Sequence, residues 1–263
     1  MQSVKELFNQ YFEVFDANNQ DLVDESFRIR YQVYCIENVF EDASAFTDEK
    51  ETDKYDARSV HSLIHHKSSQ LTAATVRLVL ADPANPASAF PIEEFCKSSV
   101  DFSKLPLANV PREQIAEVSR FAVSKNFKKR LDEQGTIAGV SPDVNSYPDP
   151  KTDIENSGRI SRMFPHISIG LFQGIVRMSA DHNVKYWYAV MEPSLLRLLS
   201  RFGICFNPIG PVVNYHGMRQ PCFANADEVL AGIYHQRQDI WELITDDGHS
   251  WPPPERANIK HIA

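Results

Sequence analysis

Three side chains capable of acid–base or hydrogen-bonding chemistry stand within one apolar stretch, IAEVSRFAVS, at 115–124. Its apolar positions predict a strand buried on both faces, yet the stretch also carries Glu117, Ser119 and Arg120. Burying a neutral polar group without a partner costs about 2–7 kcal/mol, and an unpaired charge costs more. These residues therefore need either partners from elsewhere in the fold or a chemical function.

The spacing decides which of the three side chains can act together. Alternate residues of a strand point to opposite faces, so Glu117 and Ser119 share one face and Arg120 lies on the other, unless a β-bulge changes the pattern. Apolar surroundings raise the pKa of a carboxyl group, which suits a general base. The structural alternative is that Glu117 and Arg120 pair with charged groups of neighbouring elements.

A further arginine is predicted to lie on an apolar surface. The stretch DLVDESFRIRYQVYCIEN has the pattern of a helix. Arg30 lies three residues after Phe27 and four before Tyr34, so it shares their apolar face, whereas Arg28 points elsewhere. The acidic residues of the segment that follows are the nearest in sequence that could neutralise Arg30.

The apolar pattern also predicts the elements that position these residues. The predicted helices are the N-terminal stretch from Val4 to Phe15, the stretch with Arg30, ISIGLFQGIVRMSADH, PSLLRLLSRFG and ADEVLAGIYHQRQDIWELI. The predicted strands are a hairpin of SVHSLIHH and LTAATVRLVL, then IAEVSRFAVS, YWYAVM and two closing strands in ICFNPIGPVVNYHGMRQPCF. The order predicts one mixed α/β domain, 1–245, around a single sheet, with a loose tail at 246–263. Residues 131–162 lack a sustained apolar period and are predicted as a long loop.

Composition excludes several classes of protein. A net charge of −8 argues against nucleic acid as the main partner, because phosphate binding needs a basic surface. No apolar run approaches the roughly 18 residues of a membrane span, and no signal peptide is predicted. The four cysteines lie far apart without a C-x2-C pair, which indicates a reduced, cytoplasmic protein, and a nucleophilic thiol among them stays open. No metal site is predicted.

Four stretches follow one another in the order and approximate spacing of the acyl-homoserine-lactone (autoinducer) synthase superfamily, which belongs to the wider GNAT N-acyltransferase fold. They are FRIRYQVYCIE, ETDKYDARSVHSLI, ATVRLVLAD and EVSRFAVS. The resemblance matches the motif residues of that superfamily to Arg30, Asp53, Asp56, Arg77, Glu117, Ser119 and Arg120. It implies a single GNAT-like domain with a mixed central sheet flanked by helices.

The chain also departs from that superfamily. A tryptophan usually follows the helix arginine, where this chain has Val39 and Phe40, and the N-terminal helix and the insertion at 126–162 are longer than in compact autoinducer synthases. These features are more similar to the PEP-CTERM/exosortase system-associated acyltransferases, which resemble the long-chain N-acyl amino acid synthases. The resemblance therefore implies acyl transfer more strongly than it implies a lactone product.

The resemblance implies a mechanism as well. The strand with Glu117 would splay from its neighbour, and the donor thioester would lie in the gap. Glu117 would remove a proton from the amine, directly or through one water, while Ser119 would donate a hydrogen bond to the thioester or to the leaving thiolate. The donor would be an acyl carrier protein or coenzyme A thioester and the acceptor a small amine, with no permanently bound cofactor.

The roles of the charged residues around Glu117 stay open at this point. Arg30 either clamps a carboxylate of the acceptor or braces Asp53 and Asp56. Arg120 either fixes the acidic loop through an ion pair or contacts substrate. The segment ETDKYD could also be an ordinary solvated turn.

Two further features have both a functional and a structural interpretation. A basic cluster follows the strand and either docks the acidic carrier protein, binds the phosphates of coenzyme A, or is a solvated loop; its residues are Lys125, Lys128, Lys129 and Arg130. Gly170 and Gly174 either admit a pantetheine arm or allow a helix to pack closely on the sheet.

Three functions are therefore predicted. The first is an N-acyltransferase that moves a fatty acyl group from acyl carrier protein or coenzyme A to the amine of an amino-acid-like acceptor. The second is a lactone synthase that uses S-adenosylmethionine. The third is a non-catalytic acyl-binding protein of the same fold, which Glu117 argues against.

Overall fold

The computed structural model describes residues 3–127, 164–215 and 217–255. The helices of this part of the chain are α1 (Val4–Tyr11), α2 (Gln20–Tyr31), α3 (Pro91–Phe95), α4 (Phe164–Asp181), α5 (Pro193–Arg201), α6 (Ala226–Gln236) and α7 (Gln238–Thr245). Its strands are β1 (Phe12–Asp16), β2 (Ser59–His66), β3 (Leu71–Val79), β4 (Ile115–Val123), β5 (Tyr186–Met191), β6 (Asn207–Pro208), β7 (Val213–Asn214) and β8 (Met218–Asn225). A π-helical turn, Gln32–Glu37, directly follows α2.

These strands form one mixed sheet in the order β1-β2-β3-β4-β5-β8-β6, with β7 paired to β8. Neighbours are antiparallel except β4 and β5, which are parallel. The predicted α/β architecture and the predicted hairpin of β2 and β3 are confirmed. Helix α4 packs against β1, β2 and β3, and the segment between β3 and β4 covers the opposite face with a second apolar cluster.

The N-terminal helix is shorter than predicted. A capping box of Ser3 and Glu6 starts α1, but the helix ends at Tyr11, and Phe12–Asp16 form β1. The prediction of a helix as far as Phe15 is therefore wrong. The reason lies outside the segment: β2 offers an open edge whose backbone groups pair with β1, and Phe12 is then buried while Glu13 is exposed.

The C-terminal region also differs from the prediction. The single predicted helix is two helices, separated at Arg237, whose backbone leaves the helical region with φ −145° and ψ 68°. Its guanidinium donates hydrogen bonds to Asp239 in the first turn of α7.

The closing strands and the tail differ from the prediction as well. Of the two predicted closing strands, β8 is long and the other is replaced by the two-residue strands β6 and β7. In the predicted tail, Trp251 is buried, and its indole nitrogen donates a 3.1 Å hydrogen bond to Asp227.

The two glycines of α4 lie where the helix touches its neighbours. A Cβ on Gly170 would lie 2.6 Å from Cε2 of Phe8, and a Cβ on Gly174 would lie 2.6 Å from Cβ of Ser62. Both glycines therefore serve close packing of α4 on α1 and β2, which is the structural interpretation of this pair. The predicted insertion at 126–162 lies outside the described residues, apart from Asn126 and Phe127.

Among the helices of the described ranges, none is long and apolar enough to cross a membrane.

Candidate active site

Strands β4 and β5 diverge in the middle of the sheet. Their parallel pairing runs from Ile115 opposite Tyr186 to Val118 opposite Ala189 and then stops, although both strands continue. Two small cavities open in this gap. We call the first the polar cavity, of about 50 Å³, lined by residues that include Arg77, Glu117, Ser119, Tyr215 and Arg219. We call the second the apolar cavity, of about 60 Å³, lined by residues that include Phe121, Phe172, Met191 and Leu195.

A β-bulge in β4 turns Arg120 toward the polar cavity. Arg77 pairs with Ser119 and Thr75 pairs with Ala122, so β4 has one residue more than β3 between these pairs. Arg120 lies in the bulge, and its φ is +50°. A non-glycine residue in this left-handed region costs about 1–3 kcal/mol. Simple alternation therefore does not hold at this bulge, and Arg120 reaches Asp53, which Arg77 also contacts.

Three arginines and three carboxylates form one largely buried network beside the polar cavity. Arg30 donates to Oδ1 and Oδ2 of Asp56 at 2.7 and 3.0 Å and to Oε2 of Glu51 at 2.5 Å. Arg77 donates to Asp53 at 2.7 Å and to Asp56 at 2.8 Å. Arg120 donates to Oε1 of Glu51 at 2.8 Å and to Asp53 at 3.1 Å. Six formal charges thus cancel within the network.

The network holds its carboxylates ionised. Burial alone would raise the pKa of Glu51, but the guanidinium groups of Arg120 and Arg30 outweigh burial and hold that pKa at about 2. Burial opposes ionisation of Asp56 as well, and its hydrogen bonds with Arg30 and Arg77 hold the pKa far below its usual value. His61, packed beneath, has a pKa lowered to about 3 by burial and by Arg30, so it is neutral.

Glu117 stands apart from this network. Its residue is 3% exposed, and Oε2 accepts a 2.7 Å hydrogen bond from the backbone N–H of Ile92, in the first turn of α3. Burial raises the pKa of Glu117 to about 8, against the opposing effects of the Ile92 hydrogen bond and of Arg77. The pKa of Glu117 is therefore shifted in the direction that the sequence predicted. Among the described residues, Glu117 forms no salt bridge. The alternative in which Glu117 serves as an ion-pair partner is therefore not supported by any contact there.

The structure brings most of the predicted site residues together. Ser119 accepts a 3.0 Å hydrogen bond from Nε of Arg77, which places it between the network and the cavities. Arg30 is fully buried and engaged by two acids, so it braces the acidic segment and has no access to substrate. Its partners are Glu51 and Asp56; Asp53 pairs with the other two arginines instead.

The predicted docking cluster is described only at its start. Lys125 is exposed, and its backbone N–H donates to the carboxylate of Glu37 at 2.9 Å. Lys128, Lys129 and Arg130 lie outside the described residues.

Sequence reasoning missed four residues of this site. Glu51 could have been found, because it stands two positions before Asp53 in the same acidic motif. Tyr34 lies four residues after Arg30, in the π-helical turn that follows α2, and the guanidinium carbon of Arg120 lies 5.1 Å from its ring centre. Tyr215 and Arg219 come about 100 residues after β4, and no spacing in the sequence connects them to it.

The cysteines and a wider groove are weaker candidates for a catalytic site. All four cysteines are free, and burial raises the pKa of Cys35 and Cys96 to about 11, so these two are thiols rather than thiolate nucleophiles. A wider groove of about 800 Å³ is lined by residues that include Tyr55, Arg58 and Glu94. It shares no lining residue with the polar cavity, and Glu117 is absent from it.

One family model and several solved structures are similar to this chain. Residues 29–136 match the Acetyltransferase (GNAT) domain family, a segment that begins beside Arg30 and extends past β4. No curated protein matches the sequence. The fold is similar to that of TofI, solved in a ternary complex with an inhibitor and MTA, with a TM-score of 0.56 and 16% identity over 89% of this chain and 97% of TofI.

Two further solved structures share the fold. The acyl-homoserine-lactone synthase LasI has a TM-score of 0.51 and 16% identity, over 84% of this chain and 94% of LasI. FeeM, an N-acyl amino acid synthase from uncultured soil microbes, has a TM-score of 0.51 and 12% identity, over 86% of this chain and 96% of FeeM. The comparisons thus show a GNAT domain match over residues 29–136 and a fold that this chain shares with these synthases.

Proposed function

We propose that this protein is an acyltransferase that moves a fatty acyl group from the thioester of acyl carrier protein or coenzyme A to the amine of an amino-acid-like acceptor. The observation that carries the proposal is Glu117: an ionisable group, buried in the gap between β4 and β5, with a pKa of about 8. A general base works best when its pKa lies near the pH of the reaction.

In the proposed reaction, Glu117 accepts a proton from the amine. The polar cavity, about 50 Å³, is large enough for a water molecule that could relay this proton. The Ile92 N–H fixes one carboxylate oxygen, which leaves Oε1 of Glu117 to receive the proton. Ser119 keeps its own hydroxyl proton for the thioester or the leaving thiolate, because its oxygen already accepts from Arg77.

The charged network has a positioning role in this proposal. Arg77 and Arg120 tie β4 to the acidic segment, and Arg30 ties the same segment to α2. Each arginine bonds to more than one group, so the bulged conformation of β4 is held from several directions. A rigid arrangement of this kind keeps a base and its substrate aligned.

Fold relatives support the donor and acceptor classes without choosing within them. BjaI, which shares the fold with a TM-score of 0.50, is described as a CoA-dependent acyl-homoserine lactone synthase, and FeeM as an N-acyl amino acid synthase. The carrier protein as donor, docking at Lys125 and its neighbours, and the likeness to PEP-CTERM/exosortase system-associated acyltransferases stay predictions from the sequence.

Mass spectrometry of lipids from cells that overexpress the protein tests the function. The proposal expects N-acyl amino acids that are missing from cells expressing Glu117→Gln. Acyl-homoserine lactones in their place would favour the lactone-synthase alternative. Identical lipid profiles for the two proteins would contradict acyl transfer by this site.

A further inference from the structure

Arg219 lies where the two cavities meet. Residues that line both cavities include Ser119 and Val190 on the diverging strands and Arg219 at the start of β8. On the proposed function, the acyl tail occupies the apolar cavity and the amine approaches Glu117 in the polar one. The reacting carbonyl must then lie at the junction, beside the residues that the cavities share.

The Arg219 guanidinium is held firmly in this place. The residue is 8% exposed, and Nη1 forms a 3.0 Å salt bridge with Oε1 of Glu192 at the end of β5. Gly217, with φ at +95°, passes close to the guanidinium: a Cβ there would lie 3.7 Å from Nη1. A residue with a side chain would be strained at this φ.

One nitrogen of Arg219 has no hydrogen-bond partner, although the guanidinium carbon lies 5.9 Å from the ring centre of Phe40. Within the described part of the chain, Nη2 is buried and makes no hydrogen bond. The other two guanidinium groups at the polar cavity are occupied, because Arg77 and Arg120 each bond to two carboxylates. An unpaired buried donor is costly, and such groups are retained where a ligand completes them.

We propose that Nη2 of Arg219 donates a hydrogen bond to the carbonyl oxygen of the bound thioester. When the amine nitrogen bonds to the carbonyl carbon, the electron pair of the C=O π bond moves to the oxygen, and the amine proton passes to Glu117. The pair then returns as the C–S bond breaks, and the leaving thiolate takes up the proton that Glu117 accepted, which restores the base. The products are an amide and a free thiol.

The oxygen is neutral in the bound thioester and negative in the tetrahedral intermediate. Its attraction to Arg219 is therefore stronger in the transition state than in the ground state, which lowers the barrier rather than tightening binding. Loss of a donor of this kind typically lowers kcat about 100-fold or more.

The test uses the full-length protein and Arg219→Gln. Donors are octanoyl-coenzyme A and the octanoylated carrier protein, both with ¹³C at the carbonyl, and acceptors are the twenty common amino acids as a mixture. We expect kcat to fall about 100-fold with little change in KM. Arg177→Gln is the matched control, because Arg177 pairs with Asp16 and lines neither cavity. Arg219→Lys, which keeps the charge, replaces the glutamine variant if that variant does not fold.

Infrared difference spectroscopy of the bound donor, without acceptor, separates a contact from a structural role. We expect the ¹³C=O stretch at a lower wavenumber in the wild-type and Arg177→Gln proteins than in Arg219→Gln. An unchanged stretch and kcat in Arg219→Gln, with transfer intact, would overturn the role of Arg219 and leave acyl transfer standing. A rise in the acceptor KM alone would also overturn it and would assign Arg219 to an acceptor carboxylate.

A lowered stretch in a wild-type protein that acylates no amine would support the contact and refute the proposed function. Failure of both thioesters to bind would refute both proposals.

Discussion

The backbone N–H of Ile92 donates a 2.7 Å hydrogen bond to Oε2 of Glu117, which joins α3 to the central strand β4. This hydrogen bond orients the carboxyl group without neutralising it by a charge. A glutamine has an oxygen in the same place and can accept the same bond. The side chain at this position can therefore lose its acid–base function while its packing is kept.

Glu117→Gln should lower turnover of the thioester donor by roughly 100-fold or more, the usual scale for the loss of a general base. Its melting temperature should stay close to that of the wild-type protein. Thiol release and thermal melts measure the two quantities. A folded variant with wild-type turnover would rule out Glu117 as the base.

The pKa of Glu117 also predicts how stability depends on pH. Because folding raises this pKa from 4.5 to about 8, the folded state holds the proton more tightly than the unfolded state between these values. The stabilisation that comes from this tighter proton binding is complete below about pH 4.5. It is lost as the pH rises toward 8, when the free energy of unfolding falls by up to about 1.4 kcal/mol per pH unit.

Denaturant unfolding between pH 5 and 8 tests this. The free energy of unfolding of the wild-type protein should decline relative to that of Glu117→Gln as pH rises. The carboxylates paired with arginine do not interfere, because their pKa values are lowered and their contribution is lost only under more acidic conditions. Parallel curves for the two proteins would contradict a raised pKa.

Arg30 and Asp56 should be strongly coupled in a double-mutant cycle. Among the described residues, removing Arg30 leaves Asp56 paired only with Arg77, and removing Asp56 leaves Arg30 paired only with Glu51. Breaking a buried pair costs up to about 3–5 kcal/mol, and the pair is lost only once, so the double variant should lose clearly less than the sum of the single losses. Arg28→Ala is the control from the same helix, since the Arg28 side chain is 57% exposed and should change stability by about 0.5 kcal/mol or less. Strict additivity would mean that the pair is not a unit.

Two glycine-to-alanine substitutions in helices should have opposite effects. In Gly174→Ala, the new methyl group meets Ser62, whose hydroxyl is held by the carbonyl of Phe15, and overpacking of this kind costs about 1–3 kcal/mol. At Gly232 in α6, no atom of the described residues lies within 4 Å of the corresponding position, apart from the adjoining backbone of the helix itself. Gly232→Ala should therefore gain about 0.5–1 kcal/mol from helix propensity. Equal unfolding free energies for the two variants would contradict the packing described for α4.

The basic cluster after β4 should affect the carrier protein as donor. If the acidic carrier docks there, Lys128/Lys129→Glu raises its apparent KM, and only the wild-type protein shows a steep dependence on salt. Lys97/Lys104→Glu changes the net charge by the same amount in the exposed segment between β3 and β4. Equal responses of the two double variants would show that the effect is one of net charge and that docking lies elsewhere.

Local periodicity was enough to predict how three residues of the site are placed, whereas Asp53, Asp56 and Arg77 were identified from the family resemblance. The face of β4 shared by Glu117 and Ser119 follows from the two-residue repeat of a strand, and the buried position of Arg30 follows from the 3.6-residue repeat of a helix. Both features depend on residues that are neighbours in sequence, so their pattern is visible without the fold.

Only the tertiary structure decided the rest, because it depends on pairing between distant segments. Phe12–Asp16 became a strand because the edge of β2 was available. Arg120 joined the face of Glu117 because β3 pairs with β4 through a bulge. Arg219 reached the site because β8 lies beside β5, about 100 residues after β4. No repeat within one segment encodes such contacts, since their free energy comes from long-range packing and hydrogen bonding that form only in the folded chain.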